Sequence, residues 1–370
     1  MAGSNETNDK STENPLHATT IREFSYLFQL PPDLRLVIYG HVFQSIRLSS
    51  GPSVFLGIRN ISARYSLALL RTCRLVRTEI GDTWLGQVLF NFTDTEHMMV
   101  KLKALPMATL SRIRHVRVLG TILPFDLGDT YTPYTLVQAL KLLPGLQLDT
   151  FTVLSPHDQY CDYEVLDTLI EYGEGWKELR FICQQSTQLG YGYPDDLNRS
   201  RHCVTYPRKP QPAHWVSVMN SRDGIRSQPS VTMYRSTLPG EPCSVMHEAT
   251  RVLVEQMPPK EKETHVVIDW GHPRAAVPMG ESNVREFMVV VKRGKGIDYQ
   301  EKEHSPHLSV IGDIREDYAD KTWEQMKTDY IFWRRNDSTR YDRTRPTRET
   351  YQHVNEYTWR QLAHEFTKSL

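Results

Sequence analysis

The sequence lacks most features that mark membrane, secreted or disulfide-built proteins. No run approaches the roughly 18 consecutive apolar residues that span a bilayer, and residues 1–20 are polar, with no apolar signal core. The 370 residues include five cysteines, widely spaced and never arranged as CxxC, which argues against a disulfide framework or a zinc knuckle. These absences predict a cytoplasmic or nuclear protein that does not contact membranes.

An excess of charge of one sign is also missing. Lysine plus arginine and aspartate plus glutamate each number 44, which makes a nucleic acid an improbable partner of the chain as a whole. A local exception is the arginine-rich segment 334–348. It is either a mixed-charge linker or a contact for RNA or a phosphoprotein, since arginine binds phosphate through two parallel hydrogen bonds.

Catalytic and nucleotide-binding signatures are absent. His247-Glu248 and His364-Glu365 each lack the second histidine of HExxH, so neither pair can hold zinc from one helical face. The sequence has no GxSxG elbow, no Walker loop and no GxGxxG.

Three weaker candidates for chemistry also have simpler interpretations. Residues 292–296, KRGKG, contain glycines and cations suited to phosphate, but no helix start follows them, so a solvated turn is predicted. His304 and His307 lack a third metal ligand, and His202 and Cys203, as neighbours in an extended segment, point apart. We therefore predict no catalytic residue, no metal ligand and no cofactor.

Composition and pattern divide the chain into four regions. Hydrophobic residues make up 39% and charged residues 24%, as in folded proteins. We predict a disordered leader over residues 1–20, a helical region over 21–105, an α/β body over 106–300 and a charged helical region over 301–370. The predicted fold class is α+β.

The helical region shows apolar spacing of three and four residues. A helix is predicted from Pro32, because proline is tolerated in a first turn and Leu34, Val37, Ile38 and Val42 follow at helical spacing. Residues 46–61 contain Ser-Ser-Gly-Pro between β-branched residues and predict a hairpin insertion. Further helices are predicted from a stripe and a cap, namely Leu69, Cys73, Val76, Ile80 and Trp84, followed by Asp94 as the cap of a helix through Leu105.

The middle of the chain repeats one apolar pattern three times. Short strands are predicted around residues 113–118, 148–153 and 176–181, with apolar helices at residues 136–143 and 165–170 between them. Strands that alternate with helices in this way form parallel neighbours joined by crossovers. The pattern predicts either a leucine-rich-repeat-like stack or an ordinary α/β layer with irregular loops.

The later part of the chain gives mixed signals. Residues 184–228 are rich in Gly, Pro and Ser and predict a long irregular loop. A capped helix is predicted from Ser244 through Met257, and strands are predicted at residues 265–270 and 287–292. Aromatic residues at helical spacing predict tail helices, one with Trp323, Met326, Tyr330 and Trp333 and one with Trp359, Leu362 and Phe366.

Two motifs in the helical region resemble a known family. The sequence Leu30-Pro31-Pro32-Asp33-Leu34 resembles the opening of an F-box, and Leu69-Leu70-Arg71-Thr72-Cys73-Arg74 resembles its later cysteine-arginine helix. Together they are most similar to the F-box-like proteins abundant in filamentous fungi, which read LPxELRxxIY and then LLRTCRxxxxE before a variable α/β body. The resemblance covers roughly residues 24 to 92.

The resemblance implies a substrate receptor of a cullin-based ubiquitin ligase, which holds the linker subunit with its helices and a target with its body. The implied linker-facing residues are Leu30, Pro31, Leu34, Ile38 and Val42. This chain departs from an F-box at residues 46–61, because F-box helices have short connections. If the insertion packs on the helices, the same leucines belong to the protein's own core.

The sequence therefore predicts a non-enzymatic protein-interaction module whose partner is a protein, and one alternative has no link to a ubiquitin ligase. That alternative is a structural or interaction protein outside the ligase system. A second alternative is an enzyme whose site is assembled only in three dimensions.

Overall fold

The computed structural model describes residues 26–51, 54–55, 58–59, 67–120, 123–126, 131–155, 162–184, 189, 209–257, 285–303, 314–317, 321–322, 325–326, 353–357 and 359. These residues form helices and a mixed sheet of eight strands, which agrees with the predicted α+β class. Among them, no helix combines the length and the apolar character needed to cross a bilayer.

The sheet advances strand by strand along the first half of the chain. Its order is β1-β4-β5-β8-β9-β12-β10-β11, and the first five strands are parallel neighbours in sequence order. The last three strands extend the sheet beyond β9 by antiparallel pairing, β12 with β9, β10 with β12 and β11 with β10. The strand bounds are β1 Arg47–Ser50, β4 Leu89–Phe92, β5 His115–Leu119, β8 Leu148–Ser155, β9 Trp176–Cys183, β10 Ser230–Ser236, β11 Arg251–Val254 and β12 Phe287–Lys292.

The three repeated apolar patterns are strands, as predicted. They form β5, β8 and β9, which pair in parallel, with Val116 opposite Phe151 and Phe151 opposite Leu179. Two strands near the start of the chain were not predicted as members of this sheet. Strand β1 was expected only as an arm of the hairpin insertion, and β4 has four residues, too few for a clear period. Both lie in the region predicted to be helical, so residues 21–105 and the body share one sheet.

Helices cover one face of the sheet. The helices that share a single apolar core with inward strand residues such as Val118, Val153 and Phe181 include α5 Thr95–Leu102, α6 Met107–Leu110, α7 Leu136–Leu140, α8 Asp162–Tyr172 and α9 Ala213–Asp223. Because strand side chains alternate, the intervening residues point to the other face. Asp94 caps α5 as predicted, accepting a hydrogen bond from the His97 backbone N–H at 2.7 Å, although α5 ends at Leu102, three residues earlier than expected.

The other face of the sheet carries a 3-10 turn at Ser244–Met246 but no α-helix among the described elements, and it is called the open face here. A polar row crosses it from strand to strand through Asn91, Arg117, Thr152 and Arg180. Beside this row, at the carboxyl ends of the parallel strands, Leu119, Leu154 and Ile182 form a second apolar cluster with residues such as Cys243 and Tyr357. The open face is therefore polar in its middle and apolar at one end.

The helical start has a small core of its own. It contains α1 Tyr26–Gln29, α2 Pro32–Gln44, α3 Leu69–Thr72 and α4 Arg74–Ile80, with Tyr39, Phe43, Val76 and Ile80 buried together. The stripe predicted as one helix is broken at Cys73, whose extended backbone ends α3 and whose Sγ accepts the Val76 N–H at 3.4 Å. The stripe nevertheless faces one core, because Cys73 caps the next helix instead of interrupting the packing.

The insertion was predicted as a hairpin and is one only in part. Its first residues form β1 of the main sheet, while β2 Val54–Phe55 and β3 Ile58–Arg59 pair in antiparallel fashion. A second hairpin, β6 Leu123–Asp126 with β7 Tyr131–Tyr134, follows β5 and was not predicted.

Two predictions for the later chain are wrong. Residues 213–223, expected to lie in an irregular loop, form α9, because Trp215 and Met219 on one face are enough to dock it on α8. The helix expected over residues 244–257 is replaced by two 3-10 turns and β11, since β-branched residues there extend the edge of the sheet beside β10. The strand predicted at residues 287–292 is β12, as expected.

The tail prediction is tested only in part. Residues 314–317 and 325–326 are helical, whereas residues 353–357 form a turn followed by irregular chain and Trp359 lies outside any helix. The expectation of helix around Trp359 is therefore wrong where the chain is described. Several predictions lie outside the described residues, namely the leader 1–20, the strand 265–270, most of the tail helices, the segment 334–348, the His202-Cys203 pair and the His304 and His307 pair.

Candidate protein-interaction surface

Helix α2 begins where its sequence requires. Pro32 occupies the first turn, and the preceding Pro31 has an extended backbone and makes no side-chain cap. Asp33 lies in the first turn, where its carboxylate interacts favourably with the positive end of the helix dipole. The leucine-proline entry therefore fixes the start of the helix by backbone geometry alone.

The helix carries apolar residues on two faces. Arg35, Tyr39 and Phe43, spaced by four residues, face the helical core and are buried. At about 100° per residue, Val37, Leu34, Ile38 and Val42 fall on a separate arc about 140° wide, which is called the outer face here. A helix that is apolar on both faces is usually buried on both, yet the outer face is uncovered.

The predicted partner-binding residues divide into two groups. Leu34, Ile38 and Val42 lie on the outer face and are 51%, 38% and 39% exposed. Leu30 is half-buried and Pro31 is exposed, and both lie at the helix entry. Val37, absent from the implied set, is exposed on the same arc, and its spacing from Leu34 could have identified it.

An ion pair fixes which face of α2 points outward. The Arg35 guanidinium donates to both carboxylate oxygens of Glu79 on α4, with Nε to Oε2 at 3.1 Å, and its Nη1 donates to the Leu30 carbonyl at 2.5 Å. The Tyr39 hydroxyl donates to the same carboxylate at 3.1 Å. These hydrogen bonds, with that from Arg35 first, lower the pKa of Glu79, and the carboxylate in turn raises the pKa of Arg35. Helices α2 and α4 and the entry motif are thereby fastened together.

A second buried ionic cluster lies at the amino ends of β8 and β9. Lys141 Nζ lies 2.9 Å from Glu301 Oε1 and 3.5 Å from Glu174 Oε2, all three side chains being largely buried. Burial, the largest cause, raises the pKa of Glu301 to about 7, opposed by Lys141. Backbone bonds join residue 301 to the loop before β8, so the cluster anchors this segment to the sheet. Ligands of α/β sheets usually bind at the opposite, carboxyl ends, which argues for a structural role here.

Residues 292–296 were predicted to be a solvated turn, and this is wrong for Arg293. Its guanidinium pairs with Asp223 at the end of α9, Nη2 to Oδ1 at 2.8 Å, in a buried site, while Lys295 and Gly296 are exposed. Asp223 also accepts the Gly294 N–H at 2.8 Å. Arg293, one of the cations that could have met a phosphate, therefore joins β12 to α9 instead.

An aspartate and a histidine meet between α8 and α9. His214 Nε2 lies 3.6 Å from Asp167 Oδ1, and the same oxygen accepts the Trp215 indole N–H at 2.7 Å. Burial lowers the pKa of His214, opposed by Asp167. The indole bond shows that the buried carboxylate serves helix packing, so we do not assign it a chemical step.

Arg117 occupies the centre of the open face. It is 3% exposed, and its Nε donates to Asn91 Oδ1 at 2.6 Å. Burial first, and the nearby Arg47 second, lower the pKa of Arg117 to about 9. A buried guanidinium beside another cation was not evident in the sequence, because Arg47 and Arg117 meet only through strand pairing.

No group of three or more His, Cys, Asp or Glu side chains suited to a metal ion occurs in the part of the chain that the structure describes. No protein-family model, no curated protein and no solved structure matches the chain. The function of the chain must therefore be inferred from the surfaces described above.

Proposed function

We propose that this chain is a protein-interaction module, an F-box-type substrate receptor that docks on the linker subunit of a cullin-based ubiquitin ligase. The observation that carries the proposal is the outer face of α2, where Leu34, Ile38 and Val42 are exposed on a helix whose opposite face is packed. Contiguous exposed apolar side chains commonly mark interaction sites.

The outer face alone supplies too little apolar area for a stable contact, so docking must also use neighbouring side chains. Complete burial of a Leu, Ile or Val side chain gains about 1.5–3 kcal/mol, and these side chains are already about half covered, so each offers roughly 1 kcal/mol. The four side chains of the outer face together offer roughly 4 kcal/mol, less than the ordering cost of many associations. Tyr26 and Phe28 of α1 are also exposed and offer further area next to the helix entry.

Two features of the fold support the family assignment. The five parallel strands follow one another across the sheet with helices on one face, as in a leucine-rich-repeat-like stack. The entry motif is fixed to α4 through Arg35 and Glu79, which joins the two sequence motifs that resemble an F-box. The insertion pairs in part with the main sheet through β1, so it need not lie on the outer face.

The test is a binding assay of the full chain with the ligase linker subunit. The full chain is required because β4 pairs with β5, so a fragment of the helical region would lose its neighbouring strand. We expect association at micromolar concentrations and a loss of about a hundredfold or more in the double variant Leu34→Glu with Ile38→Glu, because two charges then enter an apolar contact.

The matched control is Leu253→Glu, an exposed leucine on β11 at the opposite edge of the sheet. Its affinity should match that of the unaltered chain within twofold. A folded chain that shows no association at about 100 µM, or a double variant that binds as well as the control, contradicts the ligase proposal. Capture of a different protein through the same face would favour the structural or interaction alternative.

A further inference from the structure

A segment from the far end of the chain lies across the open face. This strap consists of residues 353–357 together with Trp359. Arg117 and Arg47 donate to its main-chain carbonyls, and the Tyr357 ring lies 5.7 Å from the Arg117 guanidinium. The Trp359 indole donates to the buried Glu286 carboxylate. The strap thus covers the centre of the polar row.

The strap contacts Arg117 through two main-chain oxygens, the number that a carboxylate also offers. Nη1 donates to the Asn355 carbonyl at 2.9 Å and Nη2 donates to the Glu356 carbonyl at 3.1 Å. Arginine also uses two of its nitrogens, each donating to one oxygen, when it binds the two oxygens of one carboxylate or phosphate. Arg47 Nη1 donates to the second of these oxygens, so two cations converge there.

Main-chain carbonyls are weaker acceptors for this fork than an anion would be. None of the described hydrogen-bond acceptors of Arg117 is a carboxylate, although its guanidinium is buried beside another cation. Charge-assisted bonds to an ionised acceptor are about twice as strong as bonds to a neutral one. A ligand that brought a carboxylate to the two carbonyl positions would therefore gain energy that the strap does not supply.

The open face continues beyond the strap with a basic edge. Arg180 follows Thr152 in the polar row, and Lys292 lies on the neighbouring strand; both are partly exposed. They share one carboxylate, Glu178, at 2.6 Å and 3.5 Å. Cations thus exceed carboxylates along this row, which complements an acidic segment.

We propose that the open face binds a short acidic peptide segment, whose anionic side chain takes the place held in this structure by the carbonyl oxygens of Asn355 and Glu356. The strap then acts as an internal ligand that covers the site until the peptide displaces it. A different face from α2 carries this proposal, so it does not depend on binding to a ligase linker.

A buried thiol reports whether the strap leaves. Cys243 Sγ donates to the Tyr357 carbonyl at 2.8 Å and accepts the Tyr357 N–H at 2.7 Å, so the strap seals it. Cys183 is also buried but lies in the helix-covered core on the other face. Displacement of the strap exposes Cys243 alone, whereas general unfolding exposes both thiols.

The experiment adds synthetic peptides to the unaltered full chain and measures alkylation of each cysteine by mass spectrometry. The probes have the sequence of residues 351–360, YQHVNEYTWR, with asparagine, aspartate or phosphoserine at the position of Asn355. We expect the aspartate peptide to accelerate alkylation of Cys243 about tenfold with Cys183 unchanged, and to bind about tenfold more tightly than the asparagine peptide. The phosphoserine peptide distinguishes the two kinds of anion. If it binds at least tenfold more tightly than the aspartate peptide, the partner is phosphorylated; otherwise the partner supplies a carboxylate.

Two variants assign the effect to the open face. Arg117→Gln should weaken binding of the aspartate peptide about tenfold or more, whereas Arg112→Gln, an exposed arginine paired with Asp82, should leave it within twofold. If saturating peptide leaves Cys243 as protected as before, or exposes Cys183 in parallel, the strap is a permanent part of the core and the proposal is wrong. That decision comes from the unaltered chain and stands even if Arg117→Gln fails to fold.

Discussion

The helical start buries Arg35 and the open face buries Arg117, and these two arginines are satisfied in opposite ways. Arg35 is held by the Glu79 carboxylate, which raises its pKa, whereas Arg117 is held by neutral oxygens and burial lowers its pKa to about 9. A cation that is paired with its own carboxylate needs no further anion and has a structural role. A buried cation without one still prefers an anion, which is why we place a ligand site at Arg117 and assign Arg35 to the scaffold.

The two regions also differ in what they leave uncovered. The outer face of α2 is apolar and lies open, while the centre of the open face is charged and lies under the strap. Exposed apolar side chains cost a folded chain little, because they were also exposed before folding. A guanidinium that is buried without hydrogen-bond acceptors is far more costly, and the strap supplies two acceptors where it excludes water from Arg117.

The largest effect should separate the two faces of α2. Phe43→Ala should lower the free energy of unfolding by about 3–5 kcal/mol, because Phe43 is fully buried in the helical core. Ile38→Ala, on the outer face, should change it by about 0.5 kcal/mol at most. Urea unfolding followed by circular dichroism measures both. Equal losses would mean that the outer face is packed, and the docking surface would be lost with it.

A smaller effect on stability should come from the buried pair of Lys141 and Glu301. The pKa of Glu301 is about 7 in the folded chain and about 4.3 in an unfolded one, so between these values the folded state retains a proton that the unfolded state has released. The free energy of unfolding should therefore fall as pH rises from about 4.5 to about 7, by about 2–3 kcal/mol on account of this group.

Glu301→Gln should remove that part of the pH dependence, and unfolding at a series of pH values measures it. Glu248→Gln, on an exposed glutamate, is the control and should retain the slope of the unaltered chain. An identical slope in Glu301→Gln would show that Lys141 keeps the carboxylate ionised throughout, as Arg35 does with Glu79.

The smallest expected effect is the difference in stability between variants of the two arginines. Arg35→Met leaves the Glu79 carboxylate and the Tyr39 hydroxyl without their cation, whereas Arg117→Met removes a cation whose acceptors are neutral. We expect the urea midpoint to fall further in Arg35→Met than in Arg117→Met, with Arg112→Met close to the unaltered chain. A greater loss in Arg117→Met would make that arginine the more important fastener and reverse the comparison.

Sequence reasoning recovered the elements with strong periods. The patterns at Val116, Phe151 and Leu179 predicted three parallel strands and their connecting helices, because burial on a helix-covered sheet requires apolar residues at those spacings. It missed β4 and α9, and it expected β1 as an arm of a hairpin and not as a strand of the main sheet, because none of the three has a clear apolar period. Such elements are stable only through their neighbours, so a local pattern does not reveal them.

The sequence by itself determined that a helix begins at Pro32, after a leucine-proline entry, and that it carries more apolar side chains than one face can hold. Only the tertiary structure decided that Leu34, Ile38 and Val42 point outward, because the Arg35 and Glu79 pair sets the rotation of α2. It alone also brought residues 355 and 356 to Arg117, more than 200 positions earlier. Contacts at that separation depend on strand order and on the path of the whole chain, and neither has a local signature.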